Sequence, residues 1–280
     1  MVASKMAAGA RPELREAESQ AWRELIESRV GIHFSEARTH QLTSALWRRM
    51  RELEVTSYAS YFKLAEAESE WAALVESLTN RETHFFRHEP TYRTLREQLL
   101  PKWNAEPAGI SMWSAGCSTG EEAYSLAMVC AEAGRAPAYS ILGSDVSASA
   151  LEKAAGACYG ERAVVEVPRR YRRYVAVAGG QMQVTAEIRS RVRWARVNLA
   201  REATYPEERF DVIVCQNVLV YFRAEVRQRV VAQLAARLKP GGYLLPGPGE
   251  MAGLEGAGLR CQCLGDMQVF GKPAAAALGY

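Results

Sequence analysis

The chain has 280 residues, 48% of them apolar, enough for one large domain with a small companion and a real core. A net charge of +3 with 24% charged residues is too mild for nucleic acid to be the main partner, and no apolar run reaches the roughly 20 residues of a membrane-spanning helix. The opening MVASKMAAGARPELREAESQ lacks the continuous apolar segment of a secretion signal, so a cytoplasmic protein without membrane insertion is expected.

From about residue 13 to residue 105 apolar residues recur at helical spacing, as in Trp22, Leu25, Ile26 and Val30, then Leu42, Leu46, Met50 and Leu53. Ser35 and Ser57 stand where helices open and Pro90 lies just inside another start, so this third reads as a small helical bundle. After Ala105-Glu106-Pro107-Ala108-Gly109 short apolar runs alternate with helical patterns, at 110–114, 121–133, 139–144 and 148–157. Strand, helix, strand, helix in that order means a parallel sheet with crossover helices. FDVIVC at 210–215 reads as a buried strand and 224–238 as a helix. Residues 243–245 follow as a strand after the breaker Lys239-Pro240-Gly241-Gly242, and RCQCLGDMQVF as a hairpin turning at Gly265-Asp266. The arginine-rich stretch 168–174 and the alternating pieces YVAVAGGQMQV and RVRWARV break this order and read as an inserted antiparallel piece.

The strand at 110–114 runs into Ala115-Gly116-Cys117-Ser118-Thr119-Gly120 and a helix opening at Glu121-Glu122. Open α/β sheets bind their ligands at such carboxyl strand ends, and the second strand ends in Asp145, where an acid accepts hydrogen bonds from ribose hydroxyls. The glycine spacing lacks the full GxGxxG fingerprint, and paired carboxylates at the helix start would repel a dinucleotide's pyrophosphate. S-adenosylmethionine carries a sulfonium and an ammonium but no phosphate, so the pattern favours it over a nicotinamide cofactor. The competing possibility is that Glu121 and Glu122 only complement the helix dipole and that Asp145 only serves the helix after Ser147. Six cysteines are scattered or, at Cys261 and Cys263, set at strand spacing, while all four histidines (His33, His40, His84, His88) lie in the first third; no metal is expected.

Three segments, LTNRETHFFR (78–87), MWSAGCSTGEEAYSLAM (112–128) and FDVIVCQNVLVYF (210–222), resemble the chemotaxis-receptor glutamate methyltransferase family, CheR-type. Their order and flanking pieces ILGSDVSASALEKA, VNL and LKPGGYL match too, and the resemblance covers about residues 15 to 272. It implies an all-α N-terminal domain at 13–80, a linker and helix at 81–106 that contribute to the cofactor pocket, and a Rossmann-like class I methyltransferase domain at 107–272. A small antiparallel β-subdomain is inserted in the last at about 172–197. It also implies S-adenosylmethionine as cofactor, S-adenosylhomocysteine as product, and methyl esters on receptor glutamates as the outcome. Carried over residue by residue, the cofactor ligands are Asn80, Thr83, Arg87, Glu121, Asp145, Asn198, Leu199, Gln216 and Asn217, with Arg87 and Tyr221 at the chemistry.

The chain departs from the family pattern at Arg81, with Asn80 displaced by one, at Gln216 where arginine is common, and at Pro248 where a histidine is usual. Phe85 and Phe86 are expected in the core, anchoring the linker. Arg38, Arg48, Arg49 and Arg51 lie on or near one side of an apolar stripe, a solvated face by default or, as the family implies, a basic surface for the cytoplasmic domain of a methyl-accepting receptor. The chain is expected to act as a monomer. Two rivals stay open: a module that keeps the cofactor as a sensory ligand, and a methyltransferase for RNA or a small acid.

Overall fold

A computed structural model describes residues 11–79, 81–103, 109–133, 138–251, 254 and 257–274. The chain divides into two compact units, Met1–Thr79 and Asn80–Tyr280. Among the described residues no helix is long and apolar enough to cross a membrane.

The first unit is all helix: α1 (Glu16–Val30), α2 (Thr39–Glu52), α3 (Tyr58–Leu64) and α4 (Glu68–Leu78). Gly31, at φ +75°, stops α1 by turning left-handed and returning its N–H to the Glu27 carbonyl at 2.9 Å. Ser57 caps α3 through the Ser60 N–H at 3.1 Å. The apolar stripes converge on Trp22, Ile26, Leu42, Leu46, Met50, Tyr61 and Leu74, all buried, with Trp22 stacked on Tyr61 at 5.2 Å between ring centroids.

Arg49 does not belong to a solvated basic face. Its guanidinium grips Glu70 of α4 with Nε at 3.0 Å and Nη2 at 2.6 Å, and Tyr61 donates to the same carboxylate at 2.7 Å. The bond to Glu70 holds the guanidinium's pKa above its ordinary value. The pair is only 15% and 11% exposed, so Glu70→Ala should cost about 2–3 kcal/mol, somewhat below the cost of breaking a fully buried pair. Urea denaturation of an 11–79 fragment or of the whole chain measures this, and a loss under about 0.5 kcal/mol would mean the pair is a surface ornament.

The second unit has α5 (Glu89–Thr94), which widens into a π-helical turn over Leu95–Leu99 and then tightens to a 3-10 turn over Leu100–Trp103 before the sheet begins. The strands are β1 (Ile110–Ala115), β2 (Tyr139–Asp145), β3 (Cys158–Gly160), β4 (Val175–Ala178), β5 (Gln181–Val184), β6 (Val192–Arg196), β7 (Phe210–Cys215), β8 (Leu238–Pro246), β9 (Arg260–Leu264) and β10 (Met267–Gly271). Helices α6 (Glu121–Glu132), α7 (Ala148–Gly156), α8 (Ala186–Arg189) and α9 (Ala224–Arg237) lie between them. Seven strands form one sheet in the order β6-β2-β1-β7-β8-β10-β9, parallel from β6 to β8, with β10 antiparallel to both its neighbours. The chain builds outward from β1 on one side and then from β7 on the other, and the crevice at that reversal is where such sheets bind ligands. This is the parallel sheet with crossover helices expected from the alternation of elements, and the Rossmann-like class I methyltransferase architecture that the resemblance implied.

Three short strands form a second sheet, β3-β5-β4, all antiparallel, with the β4–β5 hairpin turning on Gly179 and Gly180 at φ +59° and +76°. Here the expected insertion at 172–197 needs redrawing: RVRWARV is not part of it, since Val192–Arg196 pairs in parallel with β2 in the main sheet. An edge strand of a parallel sheet keeps a solvent face, and its alternation therefore resembles an antiparallel strand. Conversely, Cys158–Gly160, continuous with α7 in sequence, joins the small sheet.

Candidate active site

The turn after β1 is left-handed three times, at Gly116 (φ +83°), Ser118 (φ +49°) and Gly120 (φ +95°). A Cβ on Gly116 would stand 2.4 Å from Cγ2 of Val218, so this turn presses directly on the loop after β7. Asp145 clasps the turn from the β2 side: Oδ2 accepts the Ser118 N–H and Oδ1 the Ser147 N–H, both at 2.9 Å. The cap of α7 is Ser147 itself, which takes the Ala150 N–H at 3.0 Å, so capping is not what Asp145 is there for. Beside it, Val197 donates to the Asp145 carbonyl at 3.0 Å, placing Asn198 and Leu199 next in line. Asn198 Oδ1 accepts the Ala200 N–H at 3.0 Å, and Leu199 is buried.

The paired glutamates have different surroundings, because successive helical residues point about 100° apart. Glu121 is buried and bonded by Thr119 Oγ1 at 2.7 Å, and burial raises its pKa. Glu122 accepts the Ser114 hydroxyl at 2.6 Å, at the end of β1, within electrostatic reach of Glu250 and Arg87. Desolvation, reinforced by Glu250, pushes its pKa up to about 7 against the opposing pull of the Ser114 bond and Arg87. The resemblance points to Glu121; Glu122, one residue on, faces Ser114 at the end of β1.

Gln216, the residue after β7, is buried. Its Nε2 donates to Thr91 Oγ1 at 2.7 Å and to the Pro246 carbonyl at 3.2 Å, so the buried amide ties α5 to β8. Asn217 is left-handed at φ +59°, an uncommon state for a residue with a side chain, and its Oδ1 lies 3.3 Å from His88 Nε2. Tyr221 closes the short turn Leu219–Tyr221 and is half-buried. Glu250, which the sequence did not single out, is fully buried and bonded to the backbone of this loop.

The linker is fastened to this unit. Phe85 donates its N–H to Glu166 at 3.1 Å and Phe86 to Ser125 Oγ at 3.0 Å, while their rings pack on Tyr159 (4.9 Å, edge-on) and Tyr171 (4.7 Å, stacked). Both phenylalanines are in the core, as expected. Arg87, half-buried, spends one Nη1 hydrogen on the Glu82 carbonyl at 2.8 Å and keeps its charge close enough to Glu122 to act on it. Thr83 is half-buried in the same segment, and Asn80 lies outside the described residues.

These groups suit S-adenosylmethionine. Asp145 sets a carboxylate at the end of β2, against the turn after β1, and Glu122, costly to ionise where it sits, gains from an incoming cation. A phosphorylated cofactor would instead meet Glu122 and Asp145 as like charges. A family model described as "CheR methyltransferase, all-alpha domain" matches residues 17–79, and one described as "CheR methyltransferase, SAM binding domain" matches 81–257. The chain is 32% identical over 236 residues to "Chemotaxis protein methyltransferase 1" of Vibrio cholerae, covering 80% of this chain and 86% of that one. It is 32% identical over 238 residues to the "Chemotaxis protein methyltransferase" of Escherichia coli K12, covering 81% and 82%. It also matches, at 32% over 228 residues, an uncharacterized 104.1 kDa protein of Rhodobacter capsulatus, of which it spans 24%. Motif, fold and similarity agree, and the chain belongs to the CheR methyltransferase family, with S-adenosylmethionine as its cofactor.

Proposed function

We propose that the chain esterifies glutamate side chains in the cytoplasmic region of chemotaxis receptors. The observation that carries the reading is the juxtaposition of an acidic cradle, Asp145 and Glu122, with the guanidinium of Arg87. The cradle suits a cationic donor and the guanidinium a carboxylate acceptor. Names of relatives sharing most of the chain support the same substrate.

Bound S-adenosylmethionine supplies an electrophilic methyl group on its sulfonium. Asp145 would hold the ribose hydroxyls and Asn198 and Leu199 the base, and Glu122 would attract the donor's positive end. Arg87 receives the acceptor carboxylate, using donors beyond the one spent on Glu82, since a guanidinium binds a carboxylate with two parallel hydrogen bonds. A glutamate with its ordinary pKa near ~4.3 arrives ionised, so the site needs to orient and dehydrate it rather than remove a proton. Tyr221, on the loop after β7, borders the path of the acceptor. In the helical unit Arg48 and Arg51, exposed on α2, form the basic surface for an acidic receptor helix, without Arg49.

Methyl-labelled donor incubated with the protein and receptor cytoplasmic fragments should label the fragments, and mild alkali should release the label as methanol. Alkali-stable label would replace ester formation by another chemistry. Binding of the donor without any S-adenosylhomocysteine formed would favour the sensory-ligand alternative.

A further inference from the structure

The buried Glu250 carboxylate accepts four backbone N–H groups. Oε2 takes those of Asn217 at 2.7 Å and Gly247 at 2.9 Å; Oε1 takes those of Val218 at 2.8 Å and Val220 at 3.2 Å. One side chain thus closes the loop after β7 onto the loop after β8. The fit is tight: a Cβ on Gly247 would stand 2.3 Å from Oε2 and 3.0 Å from the Asn217 nitrogen. The loop so held contains Asn217 in its left-handed state and ends at Tyr221. Backbone strain of this kind persists only where its surroundings impose it, and here the N–H groups on either side of the Asn217 Cα are bonded to the two oxygens of a single carboxylate.

We infer that Glu250 is the positioning residue of the methyl-transfer site, acting through the 217–220 backbone to place Asn217 and Tyr221 and through its charge on Glu122. The inference rests on the site reading above and adds a residue to it. The charges that bear on Glu122 are those of Arg87 from the linker and of Glu250, while Tyr92 from α5, Cys117 from the turn after β1 and Cys215 from the end of β7 lie within reach of the Glu122 charge and stay neutral. Of these, Glu250 disfavours the ionised Glu122 and Arg87 favours it.

Glu250→Gln tests this. An amide has one oxygen, so in either orientation two of the four N–H groups face an NH₂ group. Turnover per folded molecule should fall about 30–100-fold, as a loop misplaced by about an ångström does, with little change in KM for the receptor fragment. The midpoint of the pH dependence of S-adenosylmethionine binding, followed by calorimetry, should also move to lower pH. Should Glu250→Gln not fold, Gly247→Ala displaces the carboxylate without removing its charge, and turnover should again fall by at least tenfold while the pH midpoint stays near the parent's. A Glu250→Gln protein that melts earlier yet keeps the parent's turnover and pH midpoint overturns the inference, as does Gly247→Ala with undiminished turnover when the first variant cannot be made. If the parent esterifies no receptor, the acceptor assignment fails on its own, and the calorimetric midpoint of Glu250→Gln still decides the role of Glu250.

Discussion

Arg87→Ala is expected to lower turnover on receptor fragments by about 10²–10³-fold while changing the unfolding free energy by less than about 1 kcal/mol. The asymmetry follows from what the guanidinium touches. Among the described residues its hydrogen bond is to the carbonyl of Glu82, a linker residue that is itself exposed, so little of the fold depends on it. The acceptor depends on it much more: without Arg87 the incoming carboxylate approaches Glu122 and Asp145 with only the donor's own cation to offset them. Arg87→Lys restores the charge but not the two parallel hydrogen bonds, and should recover only part of the loss. Single-turnover rates with saturating donor, set beside urea unfolding curves, make the comparison; equal losses in both would return Arg87 to the scaffold.

The second large effect concerns pH. With Glu122 raised to about 7, the carboxylate is largely protonated below neutrality, and a cation then binds only after the proton leaves. Affinity for S-adenosylmethionine should therefore fall as pH drops, approaching tenfold per unit below about 7, and level off above it. The sign for stability is the reverse. The folded pKa lies above the unfolded value of 4.5, so the ligand-free fold binds more protons than the unfolded chain between about 4.5 and 7 and loses stability as pH rises through that window. Glu122→Gln should abolish this dependence of affinity and weaken binding at pH 7.5 by about 30–100-fold, the loss of a charge-assisted contact of roughly 2–3 kcal/mol. Calorimetry at pH 6, 6.75 and 7.5 on both proteins is sufficient, and parallel curves for parent and variant would assign the titration to another group.

Much of the fold was legible because local pattern and tertiary role coincide. FDVIVC is uninterrupted and apolar, and its six residues are all buried in the middle of the parallel sheet. The end of β6 was misread for the opposite reason: an edge strand alternates whatever the direction of its neighbour. Asp145 was legible from its place at a strand end. The contact of Glu122 with Ser114 was not, since it depends on helical phase, and neither was that of Gln216, whose partner Thr91 is 125 residues away. The same distance effect hid the Arg49–Glu70 pair, which takes one arginine out of an apparent basic face. Glu250 escaped notice because its partners are backbone groups, which carry no residue signature.

The anchoring of Phe85 and Phe86 fixes where this family can be cut and spliced. Residues 81–88 take their conformation from Glu166, Ser125 and two tyrosine rings that all belong to the sheet-bearing half. A chimera with another regulator's helical module should therefore be joined at 79–80, upstream of the phenylalanine pair. A seam placed ten residues later would strip the enzyme of Arg87 and leave two aromatic sockets open to solvent.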